Sequence, residues 1–219
     1  MSRPYVTLKL ATSLDGKIAL ANGMSEWITG EGSRTEGRKL RARHDAIAVG
    51  ANTAVLDNPQ LTTRISGEPD PVRIIFDTKL RLSPKSNLAL TAKDTPVWVF
   101  SDVTTGKTAE HLKDLGVRLI KVPISLGIDL GAAMKVLKEN GISTLLVEGG
   151  GTLAASFLKL DAIDVIEWFR APLILGGDGR GAIGDLKLTD LDLAHRFNRI
   201  ELRELGDDIY ERYERCLPA

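Results

Sequence analysis

The residues with the strongest claim on chemistry lie in the run Thr144-Leu-Leu-Val-Glu-Gly-Gly-Gly-Thr-Leu-Ala-Ala-Ser-Phe-Leu158. A short apolar stretch ends at Glu148, three glycines follow, and from Leu153 the apolar spacing becomes helical, with Leu153, Phe157 and Leu160 at i, i+4 and i+7. The pattern predicts a strand buried on both faces, a glycine turn and then a helix. Such a turn brings free backbone N–H groups and the positive end of a helix to one point, which suits a phosphate or pyrophosphate. A plainer reading, in which the glycines only make a tight strand-to-helix turn, stays open beside it.

Three polar clusters accompany this run. Ser25-Glu-Trp-Ile-Thr-Gly30 sets a tryptophan among small polar groups, fit either to meet a flat ring system or to anchor its own loop. The stretch after it carries Arg34, Arg38, Lys39, Arg41 and Arg43. Most charges of this kind are solvated, but one arginine turned inward is what a phosphorylated substrate needs. Thr53 to Arg64 gathers Thr53, Asp57, Asn58, Leu61 and Arg64 round Pro59, as a helix stop or as part of a site.

The elements that must position these groups alternate in type. Strands are predicted at Tyr5–Ala11, Ala46–Gly50, Val72–Phe76, Val97–Phe100, Val117–Val122 and, as a long strand, Val165–Leu175. Ser33 is expected to cap a helix running to about Arg43, with Glu36 completing a capping box. A short helix should run from near Asn52 to Asp57-Asn58-Pro59. Thr104 or Thr105 should open a helix closed by Gly116, and Asp129 one closed by Asn140-Gly141, with Leu130, Met134 and Leu137 facing inward. Gly176–Gly181 reads as a flexible loop. Arg199–Leu205 and Ile209–Arg215 read as a hairpin turning at Gly206-Asp207-Asp208. The whole is an α/β chain: a mostly parallel central sheet, helices on both faces and an antiparallel C-terminal hairpin, counted as one domain over 1–219.

Composition narrows the function classes. A formal net charge of zero argues against nucleic-acid and membrane-surface partners. The N-terminus has no signal-peptide pattern and no window approaches a spanning helix, so a cytoplasmic enzyme is expected. A lone cysteine, Cys216, and scattered His44, His111 and His195 leave no expected metal site.

The motifs together resemble a family. Leu8-Lys-Leu-Ala-Thr-Ser-Leu-Asp-Gly16, Ser25-Glu-Trp-Ile-Thr-Gly30, Leu40-Arg-Ala-Arg43, Thr53-Ala-Val-Leu-Asp-Asn-Pro-Gln-Leu-Thr62 and Leu146-Val-Glu-Gly-Gly150 follow one another as in the reductase domain of the bacterial riboflavin-biosynthesis deaminase/reductase. The resemblance runs from about Arg3 to Gly177. It implies a dihydrofolate-reductase-like three-layer fold and NADPH-dependent reduction of 5-amino-6-(5-phosphoribosylamino)uracil to the ribityl compound. The H-x-E and P-C-x-x-C elements of the zinc deaminase are missing, so a stand-alone reductase is expected. By the same resemblance Ala11, Trp27, Thr53, Asp57, Thr78, Gly150, Gly151, Thr152, Leu153, Ala154, Ala155 and Ser156 would line the cofactor. Ser25, Arg41, Leu61, Arg64 and Glu148 would contact the substrate.

No histidine lies in these motifs, which leaves Lys9, Asp57, Glu148 or a bound water as the proton donor. Two departures are visible. Asp77-Thr78 stands where the family usually has Asp-Ser, and Gly151 replaces another small residue or proline, which implies a looser turn. If Thr78 ends a strand at the adenosine ribose, Lys79 and Arg81 are the nearest cations for a 2′-phosphate. Val165-Ile-Glu-Trp-Phe-Arg170 carries apolar bulk on both faces, and a late strand near a sheet edge with that composition calls for cover by a second copy, so a homodimer is expected. Two rivals stand: a dihydropterin or dihydrofolate reductase on the same fold, for which Glu36 is the lone inner carboxylate of the first helix, and a non-catalytic nucleotide-binding protein.

Overall fold

The computed structural model describes residues 2–124 and 127–216. In chain order its elements are β1 (Tyr5–Thr12), β2 (Lys17–Ala19), α1 (Glu31–Ala42), β3 (Ala46–Gly50), α2 (Ala51–Leu56), β4 (Val72–Phe76), α3 (Asn87–Leu90), β5 (Val97–Ser101), α4 (Lys107–Asp114) and β6 (Arg118–Lys121). There follow α5 (Leu130–Glu139), β7 (Thr144–Val147), α6 (Gly151–Lys159), β8 (Val165–Arg170), β9 (Arg180–Gly181), a 3-10 turn at Leu191–Leu193, β10 (Phe197–Leu205) and β11 (Asp208–Arg215). Residue contacts divide the chain into two compact units. The first runs from the N-terminus to Tyr5 and over Arg38–Leu146; the second takes Val6–Gly37 and the chain from Val147.

In the first unit β3, β4, β5 and β6 lie side by side in that order, all parallel. Ala46 to Val49, Ile74, Ile75, Val97, Val99 and Phe100 are buried. Burial on both faces is what makes these strands read as unbroken apolar runs. Each large side chain so buried contributes roughly 1.5–3 kcal/mol before the entropy of ordering is set against it. Helix α5 buries Leu130, Ala133, Met134 and Leu137 on one stripe. Its cap is the predicted one, the Ala132 N–H donating to Asp129 Oδ1 at 2.9 Å. Helix α4 starts at Lys107 with Gly106 at its cap, not at Thr104 or Thr105, and no side chain caps it. Asp45 ties β3 to β7, accepting from Ser143 N–H, Thr144 N–H and Thr144 Oγ1 at 2.8, 2.9 and 3.0 Å. Partial burial opposes ionisation of this carboxyl, but the donors outweigh it and hold it below the usual carboxylate range.

In the second unit the order is β10, β11, β8, β1. The β1–β8 pair is parallel, and β8–β11 and β10–β11 are antiparallel, so the predicted hairpin forms. Three expectations need correction here. Helix α1 begins at Glu31, so Ser33 lies inside its first turn; its hydroxyl donates to Asp208 Oδ2 at 2.5 Å. The same oxygen accepts the Gly30 N–H at 2.7 Å, so the capping carboxylate comes from the C-terminal hairpin, while Glu36 lies 3.7 Å from Arg203. Strand β8 stops at Arg170 instead of Leu175, because Pro172 has no N–H to continue the ladder.

The third correction concerns cover for β8. That strand is no edge: β1 lies on one side and β11 on the other, Val165, Ile166 and Phe169 are buried, and Trp168 Nε1–H donates to Thr12 Oγ1 at 2.8 Å. Its apolar side chains are buried, so its composition by itself calls for no second copy. The loop at Gly176–Gly181 is also fastened. Asp15 accepts from Leu175 N–H and Gly176 N–H at 3.1 and 2.8 Å, and β9 pairs with β2.

Candidate active site

The turn after β7 is built from backbone. Gly149 has φ 140° and Gly150 φ 25°, both in territory that favours glycine. Helix α6 then begins at Gly151, and no side chain caps it. The first-turn N–H groups of a helix have no intrahelical acceptor, so an uncapped start suits an anion. Thr152 is exposed and Ser156 half-buried, its hydroxyl donating to the Thr152 carbonyl at 2.9 Å. Leu153, Ala154, Ala155, Phe157 and Leu158 are buried, while Thr152 near the start of α6 and Lys159 at its end are exposed.

The turn is tight at Gly151, not loose. A Cβ there would stand 2.6 Å from the Gly181 carbonyl oxygen, and the Gly184 N–H donates to the Gly151 carbonyl at 2.8 Å. Glycine is required by this backbone contact.

Elsewhere in the second unit Trp27 is 69% exposed, with the Arg34 guanidinium 4.6 Å from the ring centroid. Arg34 also donates to the Thr29 carbonyl at 2.8 Å and to Glu31 at 2.5 Å. Arg34 is thereby committed to holding its own loop, and Trp27 borders an open cavity of about 700 Å³ with Thr29, Gly30, Pro172, Leu173 and Asp208 in its wall. Ser25, Ala11 and Glu148 are half-buried.

Lys9 is half-buried too, its ammonium 5.7 Å from the Phe169 ring centroid. A Cβ on Gly37 would touch the Lys9 Cε at 3.7 Å, so α1 passes close over this side chain. Lys9 pairs in register with Glu167, Glu167 with Arg212, and Arg212 with Glu201, a row of alternating charge across β1, β8, β11 and β10. Glu167 is 2% exposed and accepts the Tyr210 hydroxyl at 2.5 Å, with Arg212 at 3.4 Å. Burial pushes the Glu167 carboxyl up, against the Tyr210 bond and the Arg212 charge. Burial and the neighbouring carboxylate push the Tyr210 phenol up as well. Sequence reasoning passed over this pair; its only signal was a glutamate inside an apolar strand.

The first unit contributes a different kind of feature. Asn58, Leu61 and Arg64 have φ of 42°, 58° and 53°, three non-glycine residues in the left-handed region within one short loop. Side chains hold it there. Arg41 donates to the Thr62 carbonyl at 2.9 Å, Thr63 N–H and hydroxyl donate to Asp70 at 2.7 and 2.9 Å, and Asn87 N–H donates to Asn58 Oδ1 at 2.8 Å.

Arg73, fully buried in β4 and not anticipated, donates to the Gln60 carbonyl at 3.2 Å, to Thr91 Oγ1 at 2.8 Å and to the Thr91 and Thr95 carbonyls. Desolvation lowers its pKa to about 10, against the pull of Asp70 and Asp94. Leu61 is buried, while Arg64 and Asp57 are exposed and Thr53 and Arg41 half-buried. Asp57 ends α2 and its N–H bonds the Thr53 carbonyl. Thr78 is half-buried after β4, and Lys79 is exposed. Arg81 donates to Asn52 Oδ1 at 2.8 Å and so has a structural partner.

These features set the class: a mostly parallel sheet with an antiparallel C-terminal hairpin and a glycine-opened helix start, the architecture of a dihydrofolate-reductase-like α/β domain. More narrowly, the chain belongs to the RibD C-terminal domain family, which it matches over residues 4–210. It is 40% identical over 215 residues to the riboflavin biosynthesis protein RibD of Aquifex aeolicus, covering 96% of this chain and 58% of that protein. Among solved structures it is similar to Acinetobacter baumannii RibD, with TM-score 0.85, 30% identity and coverage of 99% of this chain and 59% of the other. It is also similar to a diaminohydroxyphosphoribosylaminopyrimidine deaminase/5-amino-6-(5-phosphoribosylamino)uracil reductase from Thermotoga maritima, with TM-score 0.81, 31% identity and coverage of 98% and 57%. The chain therefore spans little more than half the length of these relatives. Among the described residues no helix is long and apolar enough to cross a membrane.

Proposed function

We propose that this chain is a reductase that converts 5-amino-6-(5-phosphoribosylamino)uracil to the ribitylamino compound with NADPH, acting as one domain over 1–219. The observation that carries the reading is the start of α6, an uncapped helix N-terminus opened by Gly149 and Gly150, in a chain of the RibD C-terminal domain family. The nicotinamide supplies the hydride when bound. Gly150 to Ser156 would take its pyrophosphate, Ala11, Trp27, Thr53 and Asp57 would line the rest, and Thr78 with exposed Lys79 would meet the 2′-phosphate.

The substrate phosphate would be met by Arg41 and Arg64, since a guanidinium fork matches phosphate oxygens. Ser25 and Leu61 would border the substrate, and Glu148 would accept from the pyrimidine amino groups. Reduction of the ring-opened imine puts the hydride on C1′ and a proton on nitrogen. That proton comes from Lys9, Asp57, Glu148 or a water they hold. Glu36, the carboxylate a pterin would need on α1, is 8% exposed and lies 3.7 Å from Arg203, which disfavours the dihydrofolate alternative.

A cytoplasmic homodimer without nucleic-acid or membrane partners belongs to the same proposal. Its support is β10, which ends the strand order of its unit and leaves Ile200 and Leu202 about half exposed.

NADPH oxidation, followed by the loss of the reduced nicotinamide's absorbance, should proceed with the ribosylaminouracil phosphate and not with dihydrofolate. Turnover of dihydrofolate alone sinks the proposal. Gly150→Val should abolish NADPH binding. Arg64→Ala should raise KM for the phosphorylated substrate roughly 10- to 100-fold, as loss of a charge-assisted bond predicts, with NADPH affinity unmoved.

A further inference from the structure

From Leu175 to Gly184 the chain forms a strap within the second unit. At one end it lies on the opening turn of α6: the Gly184 N–H donates to the Gly151 carbonyl at 2.8 Å, and the Gly181 carbonyl oxygen lies 2.6 Å from where a Gly151 Cβ would stand. No side chain separates the two backbones. At the other end it is bound to the turn after β1. Asp15 accepts from Leu175 and Gly176, and the Ala182 N–H donates to the Gly16 carbonyl at 3.0 Å.

Strand β9 of the strap pairs with β2, and from β9 the Arg180 side chain reaches the loop beyond. Its guanidinium nitrogen lies 3.0 Å from where a Gly23 Cβ would stand and donates to the Ala21 carbonyl at 3.5 Å. That loop is itself closed, by Gly23 N–H to Leu20 O and Leu20 N–H to Met24 O, each 2.9 Å. Ser25 and Trp27 come directly after it.

We infer that the Leu175–Gly184 strap couples the opening turn of α6 to the Ser25–Trp27 segment, with Arg180 as the positioning residue that carries the coupling. The inference rests on the proposed cofactor site at that turn. Phosphate held by the first-turn N–H groups fixes Gly151, and close-packed backbone passes a displacement on rather than absorbing it. Asp15 is the fixed end: the Ser13 hydroxyl and the Leu175 N–H lower its carboxyl to about 2, so it stays charged at any working pH. Arg180 is the responsive end, because it alone in the strap grips the turn that leads to Ser25 and Trp27 by a side chain. The diphosphate half of the cofactor thereby orders the segment assigned to nicotinamide and pyrimidine before either ring is in place.

Coupling of this kind requires a direct observable. The full chain labelled with 5-fluorotryptophan has three tryptophans and so three fluorine resonances, Trp27 being assigned by its loss in Trp27→Phe. The probe is ADP-ribose 2′-phosphate, which is NADPH without its nicotinamide. In the wild type the Trp27 resonance should move on saturation while those of Trp98 and Trp168 stay. Arg180→Ala should bind the probe by calorimetry within about threefold of the wild type, under 1 kcal/mol, and lose at least half of the Trp27 shift. Arg180→Lys should restore part of it, and Asp15→Ala, which removes both acceptors of the Leu175 and Gly176 N–H groups, should blunt it again.

A full Trp27 shift in Arg180→Ala overturns the coupling, as does a motionless Trp27 in a wild type that binds the probe. Absence of binding heat in the wild type is a different failure. It removes the cofactor site, and the coupling with it.

Discussion

The opening turn of α6 and the loop from Asn58 to Arg64 both hold backbone where ordinary residues avoid going, and they do it by opposite means. At α6 the sequence spends glycines: Gly149 and Gly150 adopt φ of 140° and 25°, and no side chain is asked to hold them. In the loop Asn58, Leu61 and Arg64 take φ of 42°, 58° and 53° although none is glycine. Each such residue costs on the order of 1–3 kcal/mol and persists only if its surroundings over-determine it. Here Arg73, Arg41, Asp70 and Asn87 do so. Under the proposed function, the difference follows from what each place would have to supply. A phosphate at a helix start needs only N–H groups, which glycine supplies. A loop that buries a leucine and turns an arginine outward cannot be made of glycine, so its strain must be carried by the side chains that hold it.

The largest expected effect tests that support. Arg73→Ala strips the donors from the Gln60, Thr91 and Thr95 carbonyls and should cost about 3 kcal/mol or more in urea unfolding, since each buried acceptor left unsatisfied costs about 1–3 kcal/mol. A loss below about 1 kcal/mol would mean that the loop is not held from below. On the glycine side, Gly151→Ala drives a methyl onto the Gly181 carbonyl and should cost about 1–3 kcal/mol, read as a lowered Tm. An unchanged Tm would show that the strap yields freely.

Next, Arg64→Gly should be more stable than Arg64→Ala by roughly 1 kcal/mol, since only glycine relieves the positive φ. Both should share the same raised KM. Equal stability of the two variants would remove strain from the account. The smallest effect is a pH dependence. Asp15 has its pKa lowered in the folded chain to about 2 from 3.8, so its stabilising contribution is present above about pH 4 and is lost as pH falls from there towards 2. The Tm gap between wild type and Asp15→Asn should accordingly close between pH 4 and pH 2. A gap that widens on acidification would contradict the assigned direction.

The contrast also explains what could be read from the sequence. Strands β3, β4 and β5 were legible because burial on both faces leaves an unbroken apolar run. Helix α5 was legible because Asp129 and Asn140-Gly141 are local signals. The α6 turn was legible for the same reason, since its glycines carry their own geometry. What escaped depends on partners far along the chain. The start of α1 is set by Asp208, and the apparent loop at Gly176–Gly181 is fastened by Asp15 and β2. Arg73 and Glu167 are single charged residues inside apolar strands, and periodicity cannot say whether such a residue finds partners. The cover of β8 was misread because the strand order, which places β11 beside it, is not written in any local pattern.

The capping of α1 by Asp208 has a consequence for the chain as it is made. The carboxylate that closes the helix start lies 178 residues after Gly30, whose N–H it accepts. When α1 leaves the ribosome, its first turn has no such acceptor and must wait, frayed or hydrated, until the final hairpin emerges. Translation at the usual ~5–20 residues per second makes that wait about 10–40 s. Through this interval the Trp27 segment just before α1 is joined to a helix start that its capping carboxylate has not yet closed.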